Sequence, residues 1–211
     1  MTNNALKSLH ILKRKALVVV FVAGASGALF GCVTNQPPAP PIVKVGFQHL
    51  AKVNLKVSQI LLKSEYRSPL KAPNVEHKFA TSPEFALNDW AKTRLVAVAN
   101  GHPGVTAQFV IKDASVIEST LPKSKGLAGM ITYEPTARYV AHATATLDIQ
   151  DLNSGANGSI EVASQRSIEV SENATLGQRE QAWMELVEKL MRDFNAQMDV
   201  EIQKHLSPWV K

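Results

Sequence analysis

A single cysteine in 211 residues excludes a disulfide-stapled scaffold and a zinc ribbon, since both need several sulfurs at fixed spacing. Long apolar runs are also missing. The run at 16–30, ALVVVFVAGASGALF, has 15 residues, short of the ~20 that a helix needs to cross ~30 Å of hydrocarbon. Basic charge is scarce once it is located. The formal charge is +5, but Lys7, Lys13, Arg14 and Lys15 stand in 1–31 with no acid. The other 180 residues are left with a charge near +1, which excludes a basic nucleic-acid binder despite a pI near 9.3. With 45% hydrophobic residues the chain is not disordered, and it can bury a sizeable core in one or two domains.

Signatures of chemistry are equally sparse. His10, His49, His77, His102, His142 and His205 form no i, i+4 pair of the kind that holds a metal on a helix. No G-x-S-x-G, phosphate loop or dinucleotide fingerprint occurs. His142, Thr144 and Asp148 share one face of a strand and, with a distant serine, have the residue types of a triad; we read them as a solvated sheet face. The reading is therefore non-enzymatic, with no metal.

What is present begins at the N-terminus. A basic zone ends in Lys13-Arg14-Lys15, the short apolar run follows, and then comes Gly31-Cys32. Basic flank, short apolar stretch and small residue before a cut site make a secretory signal peptide over 1–31. Gly24, Gly27 and Gly31 weaken any permanent helix there. After Cys32, the run Val33-Thr34-Asn35-Gln36-Pro37-Pro38-Ala39-Pro40-Pro41 has four prolines and no charge. Such a stretch favours polyproline II geometry and reads as a tether of about 25–30 Å.

Leu29-Phe30-Gly31-Cys32 resembles the lipobox of bacterial lipoproteins. The resemblance implies a diacylglyceryl group on the Cys32 thiol, cleavage just before it, and no other cofactor. Val33, where no aspartate follows the cysteine, implies the outer membrane rather than the inner one. Acyl chains contribute about 0.8 kcal/mol per buried methylene, enough in combination to hold the chain on a bilayer.

Residues 42–211 read as one domain. Val53, Leu55 and Val57 alternate with Lys52, Asn54, Lys56 and Ser58, a half-buried first strand. Residues 66–75 hold Pro69 and Pro73 and read as a loop. Ser82-Pro83-Glu84 starts a helix that carries Leu87, Trp90, Ala91, Leu95 and Val98 on one stripe. A second strand runs from Val105 towards Ile117. The third places Tyr139, Ala141, Ala143, Ala145, Leu147 and Ile149 on one face, its alanines leaving room for a close helix. The fourth, with Ile160, Val162, Ile168 and Val170 inward, makes a hairpin with it. Thr175 and Gln178 form a capping box ahead of a long helix with Trp183, Leu186, Val187, Leu190, Met191, Phe194, Met198 and Ile202 at helical spacing. About thirty residues span about 45 Å, so its C-terminal end is expected to project beyond the sheet. The prediction is an α+β domain of order β-α-β-β-β-α, a mostly antiparallel four-stranded sheet with two helices on one face.

Lipobox, proline-rich tether and that order together are similar to the ABC-type transport auxiliary lipoproteins and to the lipopolysaccharide-assembly lipoproteins. The resemblance implies a membrane-anchored envelope protein, an auxiliary subunit that helps a machine move lipid or a surface polymer. Its partners would be the membrane, through the lipid, and an envelope complex or lipid, with no nucleic acid. The alternative is a structural lipoprotein that braces a complex through the long helix and has no ligand of its own.

Two features suit contact. The loop at 121–135 sets Leu127, Met130, Ile131 and Tyr133 beside Lys123 and Lys125 on glycine hinges, and these six are the candidate partner- or lipid-binding residues. Charge is also unevenly spread. Residues 32–78 hold seven bases and two acids; residues 79–211 hold twelve bases and sixteen acids. The basic part can face anionic head groups, or simply be an edge strand protected by lysines.

Overall fold

Period-two and period-3.6 patterns become strands and helices, but pairing redistributes several of them. The computed structural model describes residues 46–98, 103–121, 135–171 and 173–211. In chain order the elements are β1 (Val53–Leu55), β2 (Gln59–Ser64), α1 (Pro83–Arg94), β3 (Leu95–Ala97), β4 (Val105–Asp113), β5 (Val116–Thr120), β6 (Pro135–Asp151), β7 (Asn157–Ser171) and α2 (Leu176–His205). Short 3-10 turns lie at Glu76–Lys78 and Ser207–Trp209.

The class is α+β, with two helices and a mixed sheet. The expected four-stranded, mostly antiparallel sheet is corrected to five strands, beside a separate two-stranded parallel pair of β1 and β3. In the large sheet β6 is the spine. β7 lies along one side of it; β4 and then β5 lie along the other, all antiparallel. β2 completes the sheet parallel to β4, with Ile60 opposite Ala107 and Leu62 opposite Phe109. The single second strand expected from Val105 towards Ile117 is corrected to two, β4 and β5. The register shifts between Ile111 and Asp113, the strands part at Ala114-Ser115, and Asp113 stabilises the break by accepting the Ser115 N–H.

β2 escaped the sequence reading because Ile60-Leu61-Leu62 breaks strict alternation, yet Ile60 and Leu62 turn to the core while Leu61 faces outward. The first helix also ends early. Leu95 and Val98 fit its period, but the chain turns extended after Arg94 and pairs Leu95 with Val53 and Ala97 with Leu55. The stretch contains β-branched Val96 and Val98, which favour extended backbone. Arg94 anchors the transition from inside the protein, donating to the Ala51 carbonyl and pairing with Asp199 of α2.

The core lies between the helices and one sheet face. Tyr139, Ala141, Ala143, Ala145 and Leu147 are wholly buried. Trp90 of α1 meets Phe109 of β4 at 5.6 Å and Phe194 of α2 at 5.3 Å between ring centroids, so both helices share that face. Its indole N–H donates to Asn195 at 2.8 Å. Both helix starts have the expected caps. Ser82 Oγ accepts from Phe85 N, and Thr175 and Gln178 close the capping box.

The end of α2 does not project, correcting that expectation. Ile202 and Leu206 are 1% and 0% exposed. Beyond them the chain folds back onto β1: Lys211 N donates to the Asn54 carbonyl at 2.9 Å, and Lys56 N to the Trp209 carbonyl at 2.7 Å. The returning segment rests on Gly158, where a Cβ would lie 2.7 Å from both Leu206 Cδ2 and Trp209 Cζ3. Gly158→Ala is thus expected to force the tail aside and cost about 1–3 kcal/mol. Thermal unfolding checks this; an unchanged midpoint would refute the contact.

Candidate functional site

Cys32 and the loop residues Lys123, Lys125, Leu127, Met130, Ile131 and Tyr133 lie outside the described residues. What can be described is the open sheet face and the end of the sheet from which that loop leaves.

On the open face, His142, Thr144 and Asp148 do share one side of β6, half-buried. They do not form a catalytic set. Six residues along a strand place His142 and Asp148 about 20 Å apart. Asp148 instead accepts from Thr146 Oγ1 at 3.0 Å and from the Ser159 hydroxyl. Asp148 and Ser159 border an open depression of about 510 Å³, with Leu61, Thr106 and Gln108 also in its lining. Lys63 and Lys112 both reach Glu65, at 2.8 and 2.7 Å. Hydrogen bonds from Lys112 and Lys63 hold the Glu65 carboxylate down to about 2, and Glu65 in turn pushes Lys112 up. Among the described residues, no three His, Cys, Asp or Glu side chains gather as a metal site.

The second region is built around Glu76, which is 3% exposed. Its carboxylate accepts from the Tyr66 hydroxyl at 2.6 Å, the Ser68 hydroxyl, and the Val116 N–H at 3.1 Å. Burial opposes this charge, but the hydrogen bonds from Ser68 and Tyr66 outweigh it and hold the carboxyl below its ordinary 4.5. The same burial, followed by the bond to Glu76, pushes the Tyr66 phenol up. The chemical result is mechanical. One carboxylate ties the loop after β2 to the first residue of β5. Backbone bonds continue the join: Val75 N donates to Val116 O and Glu118 N to Pro73 O, both at 2.9 Å.

Beyond Glu118 the sheet end carries an aromatic group. Trp183 stacks on Phe79 at 4.7 Å and meets Tyr139 edge-on at 5.6 Å. Burial and the 2.7 Å bond from its hydroxyl to Glu118 push Tyr139 up to about 12. Sequence reading missed the Glu76 cluster entirely. The sole local signal was an acid between Val75 and a basic pair, with tyrosine and serine ten and eight residues earlier. Such spacing is not distinctive without the fold.

Among the described residues, no helix is long and apolar enough to cross a membrane. No family model matches the chain, and no curated protein matches it. Among solved structures, the chain is similar to the crystal structure of protein XCC0632 from Xanthomonas campestris, family-model DUF330, at 7% identity and a TM-score of 0.29, over 72% of this chain and 92% of that one. It is also similar to a PelC dodecamer from Paraburkholderia phytofirmans at 9% identity and a TM-score of 0.21, over 67% of this chain and 88% of that one. At these scores neither likeness carries an argument about function.

Proposed function

We propose that this chain is a membrane-anchored envelope lipoprotein, acylated on Cys32, that works by contact as a non-enzymatic auxiliary subunit in lipid or surface-polymer transport or assembly. The observation that carries the reading is the N-terminal series: basic zone, 15-residue apolar run, LFGC, then an uncharged proline-rich tether. Each part has a physical role in delivering a folded domain to a membrane and holding it at a distance. The lipid anchor, with Val33 and no aspartate after Cys32, supports a place on the periplasmic face of the outer membrane. Contact is the mode that the glycine-hinged loop at 121–135 suits, since Leu127, Met130, Ile131 and Tyr133 supply apolar area and Lys123 and Lys125 supply charge. The bracing alternative needs a free stripe on α2, and that stripe is used in the core from Trp183 to Ile202.

Labelled palmitate is expected to enter the wild-type protein and not Cys32→Ser. Equal labelling of the two overturns the reading. A mild-detergent pull-down of the native protein with lipid analysis then separates the two roles. Co-purified lipid supports the transport subunit; a protein complex without lipid supports a brace.

A further inference from the structure

We propose that residues 69–73, Pro-Leu-Lys-Ala-Pro, form a rigid tip that docks on a bilayer carrying anionic headgroups. All five residues are exposed, and four of the five are apolar. Leu70 at their centre is 67% exposed and has a φ of 55°. That left-handed conformation is unfavourable for a leucine and ordinary for glycine or asparagine. An apolar side chain in water is a second cost. Among the described residues the Leu70 side chain does not join the apolar core, and its backbone conformation is sustained only by the turn's own hydrogen bonds, which points to use elsewhere.

The tip is held from behind. Leu70 N donates to Ser68 Oγ at 3.3 Å, and the Ser68 hydroxyl donates to buried Glu76. On the far side Asn74 N donates to the Lys71 carbonyl at 2.9 Å, and Asn74 bridges Ile117 of β5. Pro69 and Pro73 restrict φ at both ends. Little ordering remains to oppose docking.

The charge around the tip selects the surface. Arg67, Lys71 and Lys78 are exposed; the one acid in 66–78 is Glu76, buried and spent on internal donors, and Glu118, whose N–H donates to the Pro73 carbonyl, has its carboxylate accepting from the Tyr139 hydroxyl. Glu65, just before, is held between Lys63 and Lys112. A protruding apolar tip with a cationic collar matches the layered chemistry of a membrane surface, anionic outside and apolar beneath. A protein partner would instead need a pocket shaped to Leu70.

The proposal deepens the envelope reading, resting on it for location but not on acylation of Cys32. The test uses the full chain with Cys32→Ser and Leu70→Cys, which leaves one thiol for an environment-sensitive fluorophore. A matched protein carries the probe at Leu152, 69% exposed on the turn between β6 and β7. On mixed phosphatidylcholine and phosphatidylglycerol vesicles, emission at position 70 should rise about threefold or more over that at 152, and lipid-borne quenchers should reach it. Phosphatidylcholine alone, or Arg67→Gln with Lys71→Gln, should remove most of the difference. Equal emission at the two positions overturns the proposal. A rise at 70 indifferent to headgroup charge and to the double substitution overturns it as well. Palmitate labelling of the wild type is read separately, so failure of acylation and failure of docking are distinguishable.

Discussion

Phe194→Ala should lower the unfolding free energy by about 3–5 kcal/mol, the largest effect expected from one side-chain truncation here. Phe194 has no exposed surface. Its ring stands edge-on to Trp90 at 5.3 Å and to Phe109 at 6.5 Å, with interplanar angles of 87° and 86°. It therefore joins α2, α1 and β4 at one point. Removing it takes away buried apolar area and leaves a cavity whose walls belong to three elements. Those walls cannot all close together, because α1 and α2 are also tied by Trp90 to Asn195 and by Arg94 to Asp199. For a domain of this size the midpoint should fall by about 6–20 °C. A fall of only a degree or two in thermal unfolding would mean that α2 does not pack through this residue. Leu190→Ala, on the same stripe and also fully buried, should cost about 2–5 kcal/mol.

Glu76→Ala is expected to cost about 2–4 kcal/mol, because it strands buried donors at Tyr66, Ser68 and Val116 N–H. The pH dependence identifies the cause. The carboxyl is held below its ordinary 4.5 in the folded protein, so its contribution is fully present above that value. Stability is lost as pH falls through the depressed folded value, when the carboxylate takes up a proton and no longer accepts from every donor. Wild type should thus lose stability more steeply than Glu76→Gln, which cannot titrate, as pH falls below the ordinary 4.5. Parallel pH profiles for the two proteins, measured by denaturant unfolding, would show that the carboxylate charge is not what holds the loop.

Several features were legible because they depend on neighbours within a few residues. The buried face of β6 follows from alternation at Tyr139 through Ile149, and the stripe of α2 from three- and four-residue spacing between Trp183 and Ile202. The starts at Ser82 and Thr175 are settled by a hydroxyl three residues before the amide it accepts from. The N-terminal series belongs to the same local kind. Its reading as an address rests on order and length alone, which is why it carries the proposed function without any help from the fold.

Other features were decided only when distant segments met. β2 is a strand because β4 offers it a row of partners, and its own apolar run does not say so. Residues 95–97 leave the helical period because β1 lies alongside to pair with them. The second strand divides at Asp113 because Asp113 itself and Glu76, 37 residues earlier, satisfy the amides that the break exposes. The end of α2 stays on the domain because the tail finds the β1 backbone and the bare surface of Gly158. Leu70 shows the same division most plainly. Its prolines mark a loop in the sequence, but only the bonds from Leu70 N to Ser68 Oγ and from Asn74 N to the Lys71 carbonyl fix the backbone that turns its side chain into solvent. Periodicity determines which face of a segment is apolar. Which partner satisfies its backbone, and which apolar residue is left outside, is determined by closure of the whole chain.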